Sequence, residues 1–189
     1  MKKKQTYINC KGTRYYFSEK IGKRGTQIVA SKKESDVDLT AIPDTHEIVE
    51  NPNGQVSCRK KVKSAITSEE ASYVESICSS MVDPDMRLFV EIKKNALIVH
   101  VKEISDLNQL VDRLPGNRAE NLILLAENVP FESVLKFELV NKETRMFAVF
   151  RMCWIDVSGE WIFLKEGNLY VLVEEFGPHI GQESFYELF

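Results

Sequence analysis

"MRLFVEIKKNALIVHVK", Met86 to Lys102, decides the fold. Apolar residues alternate on both sides of a break at Lys94-Asn95. That is a β-hairpin pattern, because successive strand side chains face opposite ways. A turn at Lys94-Asn95 sets Ile92 opposite Leu97, Val90 opposite Val99 and Leu88 opposite Val101. One face is then aliphatic throughout, and the other pairs Phe89 with His100 and Glu91 with Ile98. A slip of one residue would exchange the two faces, so the agreement of both strands sets the register.

Working outward, "SVLKFELVNKETRMFAVFRMCWIDVSGEWIFL" (Ser133 to Leu164) reads as a β-meander. Leu135, Phe137 and Leu139 alternate with Lys136 and Glu138, and turns fall at Asn141 to Thr144 and at Ser158-Gly159. Trp154 and Trp161 flank the second turn and read as core residues of the meander. Before the hairpin, "ITSEEASYVESICSSMV" is a helix. Thr67 and Glu70 have capping-box spacing, and Ala71, Val74, Ile77, Cys78 and Met81 form a helical stripe. After the hairpin, "SDLNQLVDRLPG" is a short helix capped by Ser105, with Leu107, Leu110, Val111 and Leu114 as its apolar face and Pro115-Gly116 as its stop. "ENLILLAENV" fits helix or strand, since so short an apolar run has no decisive period. "GNLYVLVEEFGPHIG" is a helix capped at Asn168 and stopped at Gly177-Pro178; His179 orients the turn that follows. "QESFYELF" closes the chain as a short amphipathic helix with Phe185, Leu188 and Phe189 on one side. Strands and helices do not alternate as βαβ units. The expected fold is therefore α+β: an antiparallel sheet, hairpin plus meander, with helices packed on one face.

A small β-rich part precedes this. In "TRYYFS" Tyr15 and Phe17 point one way and Arg14, Tyr16 and Ser18 the other. "EKIGKRG" reads as a Gly-punctuated basic loop, followed by a strand from Thr26 to Ala30. "SKKESDVDLTAIPDT" is a linker or long exposed loop, and "HEIVENPNGQVSCRKK" is a hairpin turning at Pro52-Asn53-Gly54. Charge divides at the same place. Residues 1–63 hold 14 Lys and Arg against 7 Asp and Glu, while residues 64–189 hold 11 against 21. The expected organisation is a basic β-rich subdomain, 1–63, and an acidic α+β domain, 64–189.

A hydrophobic content of 43% and a charged content of 28% are globular values and argue against disorder. "MKKKQTYINCKG" begins as a secretory leader does but lacks the apolar run of about 7–15 residues that a leader requires. The longest apolar run, "LILLA", is far short of a membrane span. A soluble cytoplasmic protein is expected. The widely spaced Cys10, Cys58, Cys78 and Cys153 then read as thiols, not disulfides.

"RYYFS", "IPDTHEIVENPNGQV" and "GPHIGQESFYELF" together resemble a family of uncharacterised bacterial proteins over nearly the whole chain. The resemblance implies a bacterial cytoplasmic protein and carries no activity, cofactor or site residue.

Several chemistries suggest themselves from the residues. "PDMRLFVEIKK" has the P-D…E-x-K form of metal-dependent nucleases, but Asp85 and Glu91 lie six residues apart on one strand. That is about 20 Å, too far to share one ion. The only histidines, His46, His100 and His179, fall in no zinc pattern; His100, beside Glu91 and Phe89, reads as a polar spot on a binding face. Cys153 lies in an apolar strand, where a thiol is packing. "IGKRGT" lacks the residues of a phosphate loop, and no G-x-S-x-G elbow occurs. Cations remain. Lys11, Arg14, Lys20, Lys23 and Arg24, with Arg59, Lys60 and Lys61 from the second hairpin, could meet phosphates, and Tyr16 could stack on a base. The expected function is a non-enzymatic binding or interaction module without a cofactor. Its partner is an unidentified protein, with self-association left open. The alternatives are nucleic-acid binding through those basic residues, and an enzyme, such as a nuclease, with an unrecognised site.

Overall fold

The computed structural model describes residues 4–22, 25–105, 107–155 and 158–188. It divides into two compact units, Met1–Lys63 and Ser64–Phe189.

In the first unit β1 (Thr6–Ile8), β2 (Arg14–Gly22) and β3 (Gly25–Ser31) form an antiparallel sheet in that order. Tyr15 and Phe17 point into the core with Ile28. "EKIGKRG" is not a loop throughout. β2 continues to Gly22, which pairs with Gly25, so only Lys23 and Arg24 separate the two strands, and these lie outside the described residues. The two glycines close the hairpin where a loop was expected. β4 (His46–Glu50) and β5 (Val56–Lys60) make a second hairpin, whose Ile48, Val56 and Cys58 pack on the same core. Its turn needs glycine, since Gly54 has φ +77°. The charged stretch before β4 is tied to the sheet: the Leu39 N–H donates to the Phe17 carbonyl at 2.7 Å, and Leu39 and Ile42 pack on the core.

The second unit opens with α1 (Ser68–Met81). Its capping box is formed: the Glu70 N–H donates to Thr67 Oγ1 and the Thr67 N–H donates to the Glu70 carboxylate. β6 (Met86–Lys93) and β7 (Ala96–Glu103) pair in the register that the alternation dictates, with Leu88, Val90 and Ile92 opposite Val101, Val99 and Leu97. After α2 (Leu107–Val111) and α3 (Arg118–Asn128) come β8 (Glu132–Asn141), β9 (Met146–Ile155) and β10 (Ser158–Asn168). The five-stranded sheet has the order β10-β9-β8-β7-β6, antiparallel throughout. α4 (Leu169–Phe176) follows β10 directly, capped by Asn168, whose side chain accepts the Tyr170 N–H. Gly177 ends it, and short 3-10 turns at Gly177–His179 and Glu183–Glu187 follow. The expected C-terminal helix is thus a 3-10 turn. His179 Nδ1 lies 2.8 Å from Ser184 Oγ and joins the two turns. The fold is α+β.

The core of this unit lies on one face of the sheet. Leu97, Val99, Leu135, Phe137, Phe147 and Val149 meet Val74 and Cys78 of α1 and Leu169, Leu172 and Val173 of α4. One open reading is decided and one local expectation changes. "ENLILLAENV" is helical, because Asn117 caps it by accepting the Ala119 N–H at 2.9 Å. In the segment before it Val111 is buried, while Leu110 and Leu114 are exposed; the Ser105 hydroxyl donates to Glu103.

Candidate functional site

Strand register sorts the residues on the sheet face opposite the core into cross-strand rows. Glu91, Ile98, Lys136, Phe150 and Phe163 form one row across all five strands. Phe89, His100 and Ser133 form the next row on β6, β7 and β8, and Met152 and Trp161 are paired on β9 and β10. Paired residues share a face, so these side chains crowd together. Their chemistry differs from that of the core face. Phe89, Phe163 and Trp154 are 38%, 52% and 57% exposed, whereas Ile98, His100 and Ala148 in the middle are buried.

Lys136 is the electrostatic centre of this face. Its Nζ lies 3.9 Å from the centroid of Phe150, 5.4 Å from that of Trp161 and 2.8 Å from Glu138 Oε2. The ammonium is thereby held over two ring faces, where the ring quadrupole attracts it. At the margin the Lys102 Nζ donates to the Ala126 carbonyl and stands 4.8 Å from the Phe131 centroid. Phe131 meets Phe89 edge-on, with centroids 6.4 Å apart.

His100 connects two groups on this face. Its Nε2 lies 3.1 Å from Glu91 Oε2 and its Nδ1 3.2 Å from Ser133 Oγ. An ionised carboxylate only accepts, so Nε2 carries the proton toward Glu91. In the neutral ring Nδ1 is then left to accept from the Ser133 hydroxyl. The polar spot at His100, Glu91 and Phe89 is read directly from the hairpin. Ser133 is not, because β8 enters after two helices and a register shift between Val99 and His100 brings it opposite the histidine. Trp154 and Trp161 also depart from expectation. They lie on this face and not in the core, and Trp154 stands across from Gly159, where no side chain competes for the space.

The nine residues proposed to meet nucleic acid all belong to the first unit. Lys23 and Arg24 lie outside the described residues. Arg14, Tyr16 and Lys20 alternate with buried Tyr15 and Phe17 and so share the outward face of β2. Acidic groups neighbour them: Lys4 holds the Glu34 carboxyl below its ordinary range, with further contributions from Tyr16 and Arg14. Lys11 packs its stem near Gly54, at the turn of the β4–β5 hairpin, whereas Lys60 and Lys61 are at the other end of that hairpin. Arg59 is paired with Glu47 at 2.8 Å. Arg14, Tyr16 and Lys20 therefore line one face of β2, with Arg14 and Lys20 six residues apart along it, and Lys11 stands apart from Lys60 and Lys61.

Among the described residues no three His, Cys, Asp or Glu side chains come close enough to hold one metal ion. Glu91 of the nuclease-like stretch is engaged with His100 instead. The four cysteines are free thiols; burial pushes that of Cys78 up to about 12. Among the described residues no helix is long and apolar enough to cross a membrane. No protein family, curated protein or solved structure matches the chain.

Proposed function

We propose that the chain is a binding module that holds a protein partner against the aromatic face of the five-stranded sheet. The observation that carries this reading is the exposure of Phe89, Trp154 and Phe163 on the face that α1 and α4 do not cover. Aromatic side chains left in water lose the free energy of their burial, and clusters of them are characteristic of the centre of protein interfaces. The face carries charges of both signs, Arg87, Lys93, Lys102 and Lys136 beside Glu91, Glu138 and Glu166. That balance suits a protein surface better than a polyanion.

The test is affinity capture from the source cell with the wild-type chain and with the double variant Trp154→Glu, Phe163→Glu, combined with light scattering of the purified proteins. Loss of a captured protein, or of self-association, in the double variant supports the sheet face. An unchanged set of partners and an unchanged mass in solution would sink it. Nucleic-acid binding through the basic strands is the second reading, favoured by the excess of 7 positive charges in residues 1–63. Titration of generic DNA and RNA against salt separates the two. Phosphate contacts require affinity to fall steeply with salt, and that slope must flatten in Arg14→Ala, Lys20→Ala.

A further inference from the structure

We infer that Ser133 is an activated nucleophile, with His100 as its general base and Glu91 as the residue that positions the base. This goes beyond binding and gives the sheet face an acyl-transfer chemistry. Three observations converge on it. The three side chains come from adjacent strands in one connected line, at 3.2 Å and 3.1 Å. The line has a single polarity: an ionised Glu91 fixes the Nε2 proton, which leaves Nδ1 to take the Ser133 proton. The histidine is buried and its ring orientation is held from both sides, whereas Ser133 is only half-buried. A serine, a base in hydrogen-bond reach and a third group orienting the base are the recurring parts of hydroxyl activation. Here the ring is used the other way round from most such sites, with the serine at Nδ1.

The substrate class follows from the neighbours. Phe89 stands 6.2 Å from the His100 ring and 6.4 Å from Phe131, an aromatic wall beside the base. An ester with an aromatic or other apolar group fits that wall. Ser133 Oγ attacks the ester carbonyl carbon as its proton passes to His100 Nδ1, and the Glu91 carboxylate balances the imidazolium. Nδ1–H then protonates the departing alcohol oxygen as the ester C–O bond breaks. Water, deprotonated by the same Nδ1, attacks the acyl carbon, the bond from that carbon to Ser133 Oγ breaks, and Nδ1–H returns the proton to Oγ. The balance is ester plus water giving acid plus alcohol.

The experiment treats the whole chain with a fluorophosphonate and, separately, with p-nitrophenyl acetate, and maps any adduct by peptide mass. The expected result is one adduct, on Ser133, forming at least about 100-fold faster than in the guanidinium-unfolded chain. His100→Gln lowers the labelling rate by about 100-fold or more. Glu91→Gln shifts the pH profile of labelling while the adduct still forms. No adduct, an adduct elsewhere, or a rate no faster than in the unfolded chain overturns the inference. Wild-type mapping and the unfolded control decide the matter even if a variant fails to fold. Partner capture uses other residues, so binding and nucleophilicity succeed or fail separately.

Discussion

Arg145 shows how much one side chain can fix. It sits at the β8–β9 turn with φ +52°, a backbone region that favours glycine, yet its guanidinium reaches the start of α1. Nε donates to Glu70 Oε1 at 3.0 Å, Nη2 pairs with both oxygens of the same carboxylate, and Nη1 donates to the Ala65 carbonyl at 3.1 Å. Glu70 is buried and also closes the capping box of α1. Removing the arginine strands a buried carboxylate, which costs more than the pair itself contributes. Arg145→Met is expected to destabilise the 64–189 unit by about 3 kcal/mol in urea denaturation. Arg145→Lys should restore little of this, because a lysine cannot reproduce the bidentate fork. A loss below about 0.5 kcal/mol in Arg145→Met would show that Glu70 is satisfied by Thr67 alone.

At the scale of elements, the turn between β1 and β2 is clasped to the end of β4 by Glu50. The Tyr7 hydroxyl donates to Glu50 Oε2 and the Cys10 N–H to Oε1, both at 2.8 Å. Partial burial raises the Glu50 carboxyl, but the bonds from Cys10 and Tyr7 outweigh it and hold the group below its ordinary range. A depressed carboxyl contributes stability that is complete above its unfolded pKa, about 4.3, and is lost as pH falls through the folded value. The stability of residues 4–63, followed by NMR during urea titration, is therefore expected to exceed that of Glu50→Gln at pH 7. The two should converge as the solution is acidified below about pH 4. A constant difference from pH 7 to pH 3 would mean that the clasp does not depend on ionisation. Neither partner of this clasp is near Glu50 in sequence, so it could not be read there. The same distinction separates what was legible elsewhere. Local alternation gave the β6–β7 register and the Phe89, His100 and Glu91 face, and the capping residues Thr67 and Asn168 marked their helices. Ser133 and the outward tryptophans depend on how distant strands meet. The helical state of Arg118–Asn128 turned on Asn117, a residue outside its apolar run.

For the whole molecule, the two units differ in the amount of core each encloses. Among the described residues, sixteen side chains of 64–189 are buried in one cluster, Phe137, Phe147, Leu172 and Ile180 among them. Residues 1–63 bury Tyr15, Phe17 and Ile28, and the rest of their apolar contacts are half-exposed. A chain of about 60 residues buries only about 60% of its unfolded surface and stands close to the limit of independent folding. None of the cysteines in the first unit, Cys10 and Cys58, is in a disulfide that would offset this. Expressed separately, 64–189 is expected to show near-ultraviolet dichroism and one cooperative urea transition. The separate 1–63 fragment is expected to show a broad transition with a lower midpoint, because three core side chains set against the entropy of ordering about 60 residues leave little net stability. If 1–63 alone unfolds as sharply and at as high a urea concentration as 64–189, the polar clasp at Glu50 contributes more than the small core does. Glu50→Gln in that fragment would then have to abolish the transition.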